Sequence, residues 1–254
     1  MNIIDYWYAF PVGLLISSLV SSVGIGGGVL WMPFFLIVLK LSPETAVLTS
    51  LVIQTAGMGS ASLMCARQKR VDKKMAGFIL LISLPGVLIG SILASRLESE
   101  YMQLALGLLV MTTAFLFVSS KQKYADMGKE SVDMRQAYRS SWITFPASIG
   151  SGMLSTSMSE WLIPIMRSKL SLKMSHAIGT SIVIAFGVSA VAAVIHLFLG
   201  SKPEIGAVIW AVPGVLIGGQ IGPRITAMIN ERLLKESFVF FLTLVGIHLV
   251  YNAY

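Results

Sequence analysis

Long apolar runs alternate with short charged stretches along the whole chain. Uncharged or nearly uncharged segments cover 7–39, 45–66, 75–95, 101–120, 140–166, 174–201, 205–223 and 237–254. About 20 apolar residues cross the hydrocarbon core of a bilayer, so most of these runs can span one. Spanning segments of this length are predicted to be helices, because lipid offers backbone N–H and C=O groups no partners outside their own segment. One sizeable polar stretch interrupts the series, "KQKYADMGKESVDMRQAYR" at 121–139.

The runs fall into two copies. "LSPETAVLTSLVIQ" (41–54) and "LKMSHAIGTSIVIA" (172–185) match at six of fourteen positions without a gap. The same offset of 131 aligns Pro33 with Pro164. "PGVLIG" then occurs at 85–90 and again at 213–218, followed at equal distance by Arg96 and Arg224, with an offset of 128. Repeated order at nearly constant spacing marks an internal duplication. The expected organisation is a first repeat over 1–120, a linker at 121–139 and a second repeat over 140–254.

Composition agrees with a membrane protein. Of 254 residues 12% are charged and the mean hydropathy is +0.79, whereas a soluble domain averages about 25% charged. No segment is polar enough to form a separate soluble domain. The net charge of +7 could suggest nucleic acid, but the lysines and arginines lie between apolar runs, where the positive-inside bias puts them. A nucleic-acid partner is therefore not expected. Cys65 is the single cysteine, which excludes an intramolecular disulfide and a multi-cysteine metal site; no cofactor is expected. The N-terminal "MNIIDYWYAFPVG" has no basic leader and no A-x-A site, and reads as a retained helix.

Charge counting sets the parity of the fold. If 7–39 and 140–166 each cross once, Lys and Arg divide 11 to 8 across the membrane. If each of these segments enters and returns, loops 67–74, 121–139, 167–173 and 224–235 share one side with 16, against 3 on the other. The second arrangement obeys the positive-inside rule and makes those four loops cytoplasmic, with both termini outside. Each copy then has odd parity, so the copies are inverted. The fold expected is an all-α integral membrane protein of two inverted-topology repeats, each a broken or re-entrant helix pair plus three transmembrane helices.

Length points the same way. A straight helix over the 33 residues of 7–39 would be about 50 Å long, against a core of roughly 30 Å. "SSVGIGGGVLWMPF" (21–34) supplies the break, with four glycines at 24–28 and Pro33 beyond them. Half-helices are expected near 8–22 and 28–39. The counterpart break is "SIGSGMLSTSMSE" (148–160), too polar to face lipid. Parity does not separate a re-entrant hairpin from two short spans. A break at membrane depth frees backbone N–H groups and aims a helix N-terminus at them, which suits an anion. Broken helices in inverted repeats are a mark of secondary transporters.

The segment "VGIGGGVLWMPFFL", followed by Ala46, Thr49 and Ser50 and then "PGVLIGSILASR" with a weaker second set, resembles the TauE/SafE sulfite-exporter family over nearly the whole chain. The resemblance implies transport of a small anion across the bacterial inner membrane. It implies sulfur-containing substrates such as sulfite, sulfonates or sulfoacetate, or other carboxylates, with direction and substrate varying among members. The second copy departs from the pattern, with serines at 155, 157 and 159 in place of glycines, so two equal sites are not expected.

Candidate residues follow from the breaks. Gly26, Gly27 and Gly28 either hold an anion through backbone N–H groups or serve close helix packing. Thr49, Ser50, Thr180 and Ser181 offer hydroxyls to an oxyanion or bond back to the preceding turn. Gln54 lies on nearly the same face as Thr49 and Ser50. Ser155, Ser157 and Ser159 line the second break. Glu160 is an acid inside an apolar run, either a proton-coupling group or a complement to the start of a helix. His176, His196 and His248 read as packing or interfacial residues, and Arg96 and Arg224 as anchors of span ends. The partners expected are a small anion, the lipid bilayer and protons as coupling ion, and a homodimer is compatible with the pattern. A passive anion channel is the main alternative. An intramembrane serine hydrolase is disfavoured because no G-x-S-x-G occurs.

Overall fold

A computed structural model of the chain describes residues 3–119, 128–225, 243, 246–248 and 251. Most of these residues are helical, with no named β-strand among them. After a 3-10 turn at Ile3–Tyr6 come α1 (Ala9–Val23), α2 (Gly28–Pro33, continuing as a π-turn over Phe34–Val38), α3 (Pro43–Arg67), α4 (Lys73–Ala94) and α5 (Ser99–Ser119). Then follow α6 (Met134–Ser140), a 3-10 turn at Ser141–Ile143, α7 (Thr144–Leu154), α8 (Ser159–Ser168), α9 (Met174–Phe198) and α10 (Ile205–Ile225).

The protein is an all-α integral membrane protein. Among the described residues, five helical stretches are long and apolar enough to cross a bilayer: Ile3–Val23, Pro43–Arg67, Lys73–Ala94, Met174–Phe198 and Ile205–Arg224. Large apolar side chains such as Leu81, Phe115, Ile209 and Phe198 point outward, while Ser21, Ser50, Ser83, Ser148 and Thr180 are buried. Such an outer surface would be a liability in water and is what lipid requires. The small interior residues let helices pack closely where lipid already satisfies apolar surface.

Local chemistry sets the helix ends. Ser42 caps α3 by accepting from the Thr45 N–H, and Pro43 occupies the first turn, where its missing N–H costs nothing. Asp72 caps α4 through Oδ1 to the N–H groups of Lys74 and Met75, both at 3.1 Å. Pro33 does not break its helix outright. Past it the turn widens, and the Leu39 N–H bonds the Phe34 carbonyl five residues back. The first break is confined to Gly24–Gly27, since Val23 still belongs to α1. The second spans Ser155–Met158.

The stretches that match in sequence also match in backbone. Helices α3 and α9 both have 25 residues and keep the offset of 131 at both ends. Positive-φ residues pair at the same offset: Gly24 (79°) with Ser155 (58°), Lys40 (50°) with Ser171 (51°), and Lys69 (56°) with Gly200 (92°). The turns close alike too. The Leu41 N–H bonds Phe35 O and the Leu172 N–H bonds Met166 O, both at 3.0 Å.

Packing crosses between the copies. Helix α1 lies along α10, and its counterpart α7 lies along α4. Helices α3 and α9 contact each other at the centre, and also contact α10 and α4 respectively. Each copy therefore completes its core with the other. Gly28–Val38 spans 11 residues and α8 spans 10. At 1.5 Å per residue each is about half as long as the ~30 Å core is thick, so neither crosses it alone.

Candidate functional site

The two breaks meet. Helix α1 ends at Gly24 and α7 ends at Ser155, both in the left-handed conformation that turns the chain out of a helix. A Cβ on Gly26 would overlap the Ser157 side chain, and a Cβ on Gly28 would overlap the Ser155 carbonyl oxygen. Glycine is needed at these positions because the backbone of one break rests on the other. Gly27 is different. A Cβ there would sit 3.0 Å from Trp31 Cδ1 and 3.3 Å from Gln54 Cγ, both side-chain atoms.

Around this crossing lies a buried polar cluster. Gln54 is 3% exposed. Its Nε2 lies 2.9 Å from the Ser155 carbonyl, 2.6 Å from Ser155 Oγ and 3.0 Å from Ser50 Oγ. Ser155 Oγ in turn donates to Ser50 Oγ at 2.9 Å. On the other side of the crossing, Ser181 Oγ lies 3.1 Å from the Gly24 carbonyl and 2.8 Å from that of Ile178. Ser157 Oγ donates to Ser159 Oγ at 2.8 Å and accepts from the Ser159 N–H at 3.1 Å. Ser159 Oγ reaches the Ser181 carbonyl at 3.3 Å.

These contacts follow one rule. Ser50 and Ser181 are equivalent by sequence, and each touches the left-handed cap residue of the opposite copy. The cluster itself is unequal, because Ala185 stands where Gln54 has its counterpart. Hydrogen-bonding capacity is concentrated on the Gln54 side. Neither N-cap residue, Gly27 of α2 or Met158 of α8, caps its helix through a side chain, although Ser157 Oγ takes the first N–H of α8; both helix starts lie at the crossing. No lysine or arginine is buried among the described residues; any negative charge held there would rest on N–H and O–H donors.

The structure gathers nine of the sequence-derived candidates here: Gly26, Gly27, Gly28, Ser50, Gln54, Ser155, Ser157, Ser159 and Ser181. Thr49 and Thr180 go elsewhere. Thr49 Oγ1 donates to the Thr45 carbonyl at 2.6 Å and accepts from the Glu204 N–H at 2.9 Å. Thr180 Oγ1 accepts from the Asp72 N–H at 3.0 Å. Each threonine thus holds the loop that leads into α10 or α4, the helix of the other copy. Glu160 is the second residue of α8, next to Ser159, and its side chain lies outside the described residues. His196 is buried, with Nε2 2.9 Å from the Gly152 carbonyl. Arg96 and Arg224 are exposed, just beyond the end of α4 and in the last turn of α10.

Sequence reading missed the pairing across copies. The offset aligns Ser155 with Gly24, but an alignment of copies does not say which copy a residue faces.

Comparison with known proteins gives the chain a family. Residues 9–249 match the family described as sulfite exporter TauE/SafE. The chain is similar to "Probable membrane transporter protein YunE" of Bacillus subtilis (strain 168), 23% identical over 95% of this chain and 96% of that protein. It is also similar to "Probable membrane transporter protein YjnA" of the same organism, 29% identical over 84% of this chain and 89% of that protein. No solved structure matches it significantly. A match over nearly the whole chain, on a helical fold with several apolar stretches of spanning length, makes the protein a member of the TauE/SafE sulfite exporter family of membrane transporters.

Proposed function

We propose that the chain is a secondary transporter of a small anion, bound where the two helix breaks cross. The observation that carries this reading is the buried cluster of Gln54, Ser50 and Ser155 beside the starts of α2, which no side chain caps, and of α8. Amide and hydroxyl donors at helix N-termini suit a compact oxyanion, because each helix start adds about half a positive charge. The family's name makes sulfur-containing anions, sulfite and sulfonates, the first substrates to try. The two copies are read as inverted repeats in the inner membrane, with loops 67–74, 121–139, 167–173 and 224–235 on the cytoplasmic side. Alternating access around a central site then follows from rocking of one copy against the other.

Coupling to protons is assigned to Glu160. Two unit charges about 6 Å apart at an effective dielectric of about 20 repel by roughly 3 kcal/mol. An ionised Glu160 near the anion would oppose binding, and protonation would remove that opposition. By linkage, bound anion then favours the protonated carboxyl.

Uptake into proteoliposomes tests the function. Sulfite, a sulfonate and a small carboxylate are supplied with and without a proton gradient. A saturable flux that shows counterflow supports the reading. A flux that neither saturates nor shows counterflow would overturn it in favour of a channel.

A further inference from the structure

The architecture has two ends, both tied across the matching halves, and only one of them carries an added strap. At one end the α3–α4 loop of the first copy meets α9 of the second, through the Asp72 N–H and Thr180 Oγ1 at 3.0 Å. At the other end the α9–α10 loop meets α3 through the equivalent bond, from the Glu204 N–H to Thr49 Oγ1 at 2.9 Å. The second end has one further tie, Ser201 Oγ to Glu44 Oε1 at 2.8 Å.

The first end carries an additional strap made from the linker. The Lys129 N–H donates to the Ser171 carbonyl and the Lys173 N–H donates to the Lys129 carbonyl, both at 2.8 Å, forming a parallel bridge between Lys129 and Leu172. The Lys173 ammonium pairs with Glu130 at 2.7 Å. Three residues on, the Val132 N–H donates to Asp72 Oδ2 at 2.8 Å. Asp72 is mostly buried and already caps α4 with its other oxygen. Residues 128–133 are therefore fixed to the α8–α9 loop at one point and to the α3–α4 loop at another. Among the described residues, the counterpart loops at 40–42 and 201–204 carry no bridging segment of this kind.

We propose that residues 128–133 act as a strap that biases alternating access. The strapped end stays closed at rest and the opposite end opens first. Opening at the strapped end requires that the Val132–Asp72 and Lys129–Ser171 bonds release. The physical basis is that two otherwise equivalent ends differ by a set of backbone and charged hydrogen bonds. An equilibrium between two conformations shifts by whatever free energy distinguishes them. The inference rests on the transporter reading, because only a cycle that opens both ends gives the difference a consequence.

The test uses the full chain in membrane vesicles, with Cys65→Ser as background and Ser157→Cys as reporter at the crossing. A membrane-impermeant methanethiosulfonate is applied from each side in turn. Val132→Pro removes the N–H that Asp72 accepts. Asp72→Asn, which still caps α4, sets an amide N–H₂ against the Val132 N–H and guards against misfolding of the proline variant. Either change is expected to raise labelling of the reporter from the strapped side at least fivefold and to leave the other side unchanged. Joining the native Glu130 carboxylate to the Lys173 ammonium as an amide with a carbodiimide, which leaves the reporter thiol free, is expected to abolish labelling from the strapped side. Unchanged labelling in both loosened variants, or full labelling after joining, would overturn the proposal. A strap that passes this test in a protein with no anion flux would instead count against the transport reading.

Discussion

Ser155 donates its hydroxyl proton to Ser50 at 2.9 Å, which joins the left-handed end of α7 to the N-terminal third of α3. The two residues belong to different copies of the duplicated sequence. Their contact fixes how the second break sits against the first half of the chain. Ser181 repeats it in reverse by reaching the Gly24 carbonyl at 3.1 Å. Both breaks are therefore held by the opposite copy, and a substrate at the crossing would touch both copies at once.

Gln54 is the residue whose loss should separate binding from folding. Gln54→Ala leaves the buried Ser155 carbonyl without its donor, a cost of about 1–3 kcal/mol in stability. Anion affinity should fall at least tenfold. Gln54→Glu keeps the shape but puts a carboxylate at the crossing, and is expected to abolish binding in proteoliposome counterflow. Full affinity in both variants would place the substrate elsewhere.

Adjacent glycines should respond differently. Gly28→Ala would drive a methyl group into the Ser155 carbonyl. Backbone cannot yield as a side chain can, so the protein should lose its monodisperse peak in size-exclusion chromatography. Gly27→Ala presses only on Trp31 and Gln54. It should stay folded at a cost of about 1–3 kcal/mol and bind anion more weakly. Equal behaviour of the two variants in thermal unfolding would remove the distinction.

The paired threonines are expected to act on stability alone. Thr49→Val and Thr180→Val each leave a loop N–H unpaired, at Glu204 and at Asp72. Each should cost about 1–3 kcal/mol in denaturant unfolding, while anion affinity in the folded protein stays within twofold. A tenfold loss of affinity at unchanged stability would return these hydroxyls to the substrate.

Glu160→Gln imitates the protonated carboxyl. It should retain anion exchange, flatten its pH dependence and lose accumulation driven by a proton gradient. The sign follows from repulsion: neutralising an acid beside the anion strengthens binding at high pH, where the wild-type carboxylate is charged. Gradient-driven accumulation that survives the change would exclude Glu160 as the coupling group.

Much of this protein was legible from its residues in order. The apolar runs fixed the helices, because in lipid a backbone has few other ways to satisfy its polar groups. The breaks were legible at Gly24–Gly28 and at the serines from 155 to 159, since glycine and clustered serine are poor lipid-facing helix. The repeated "PGVLIG" and the threonine–serine pairs marked two matching halves. What only tertiary structure decided is how the copies interlock. Thr49 and Thr180 look like site residues in sequence because they flank Ser50 and Ser181. A helix turns about 100° per residue, so neighbours point to different partners, and these two hydroxyls went to loops of the other copy. Likewise, Gly26 and Gly28 are glycine because Ser157 and Ser155 press on them from 131 and 127 residues further along the chain. Contacts at that separation depend on which helix faces meet, and apolar periodicity does not encode which of two similar faces is the neighbour.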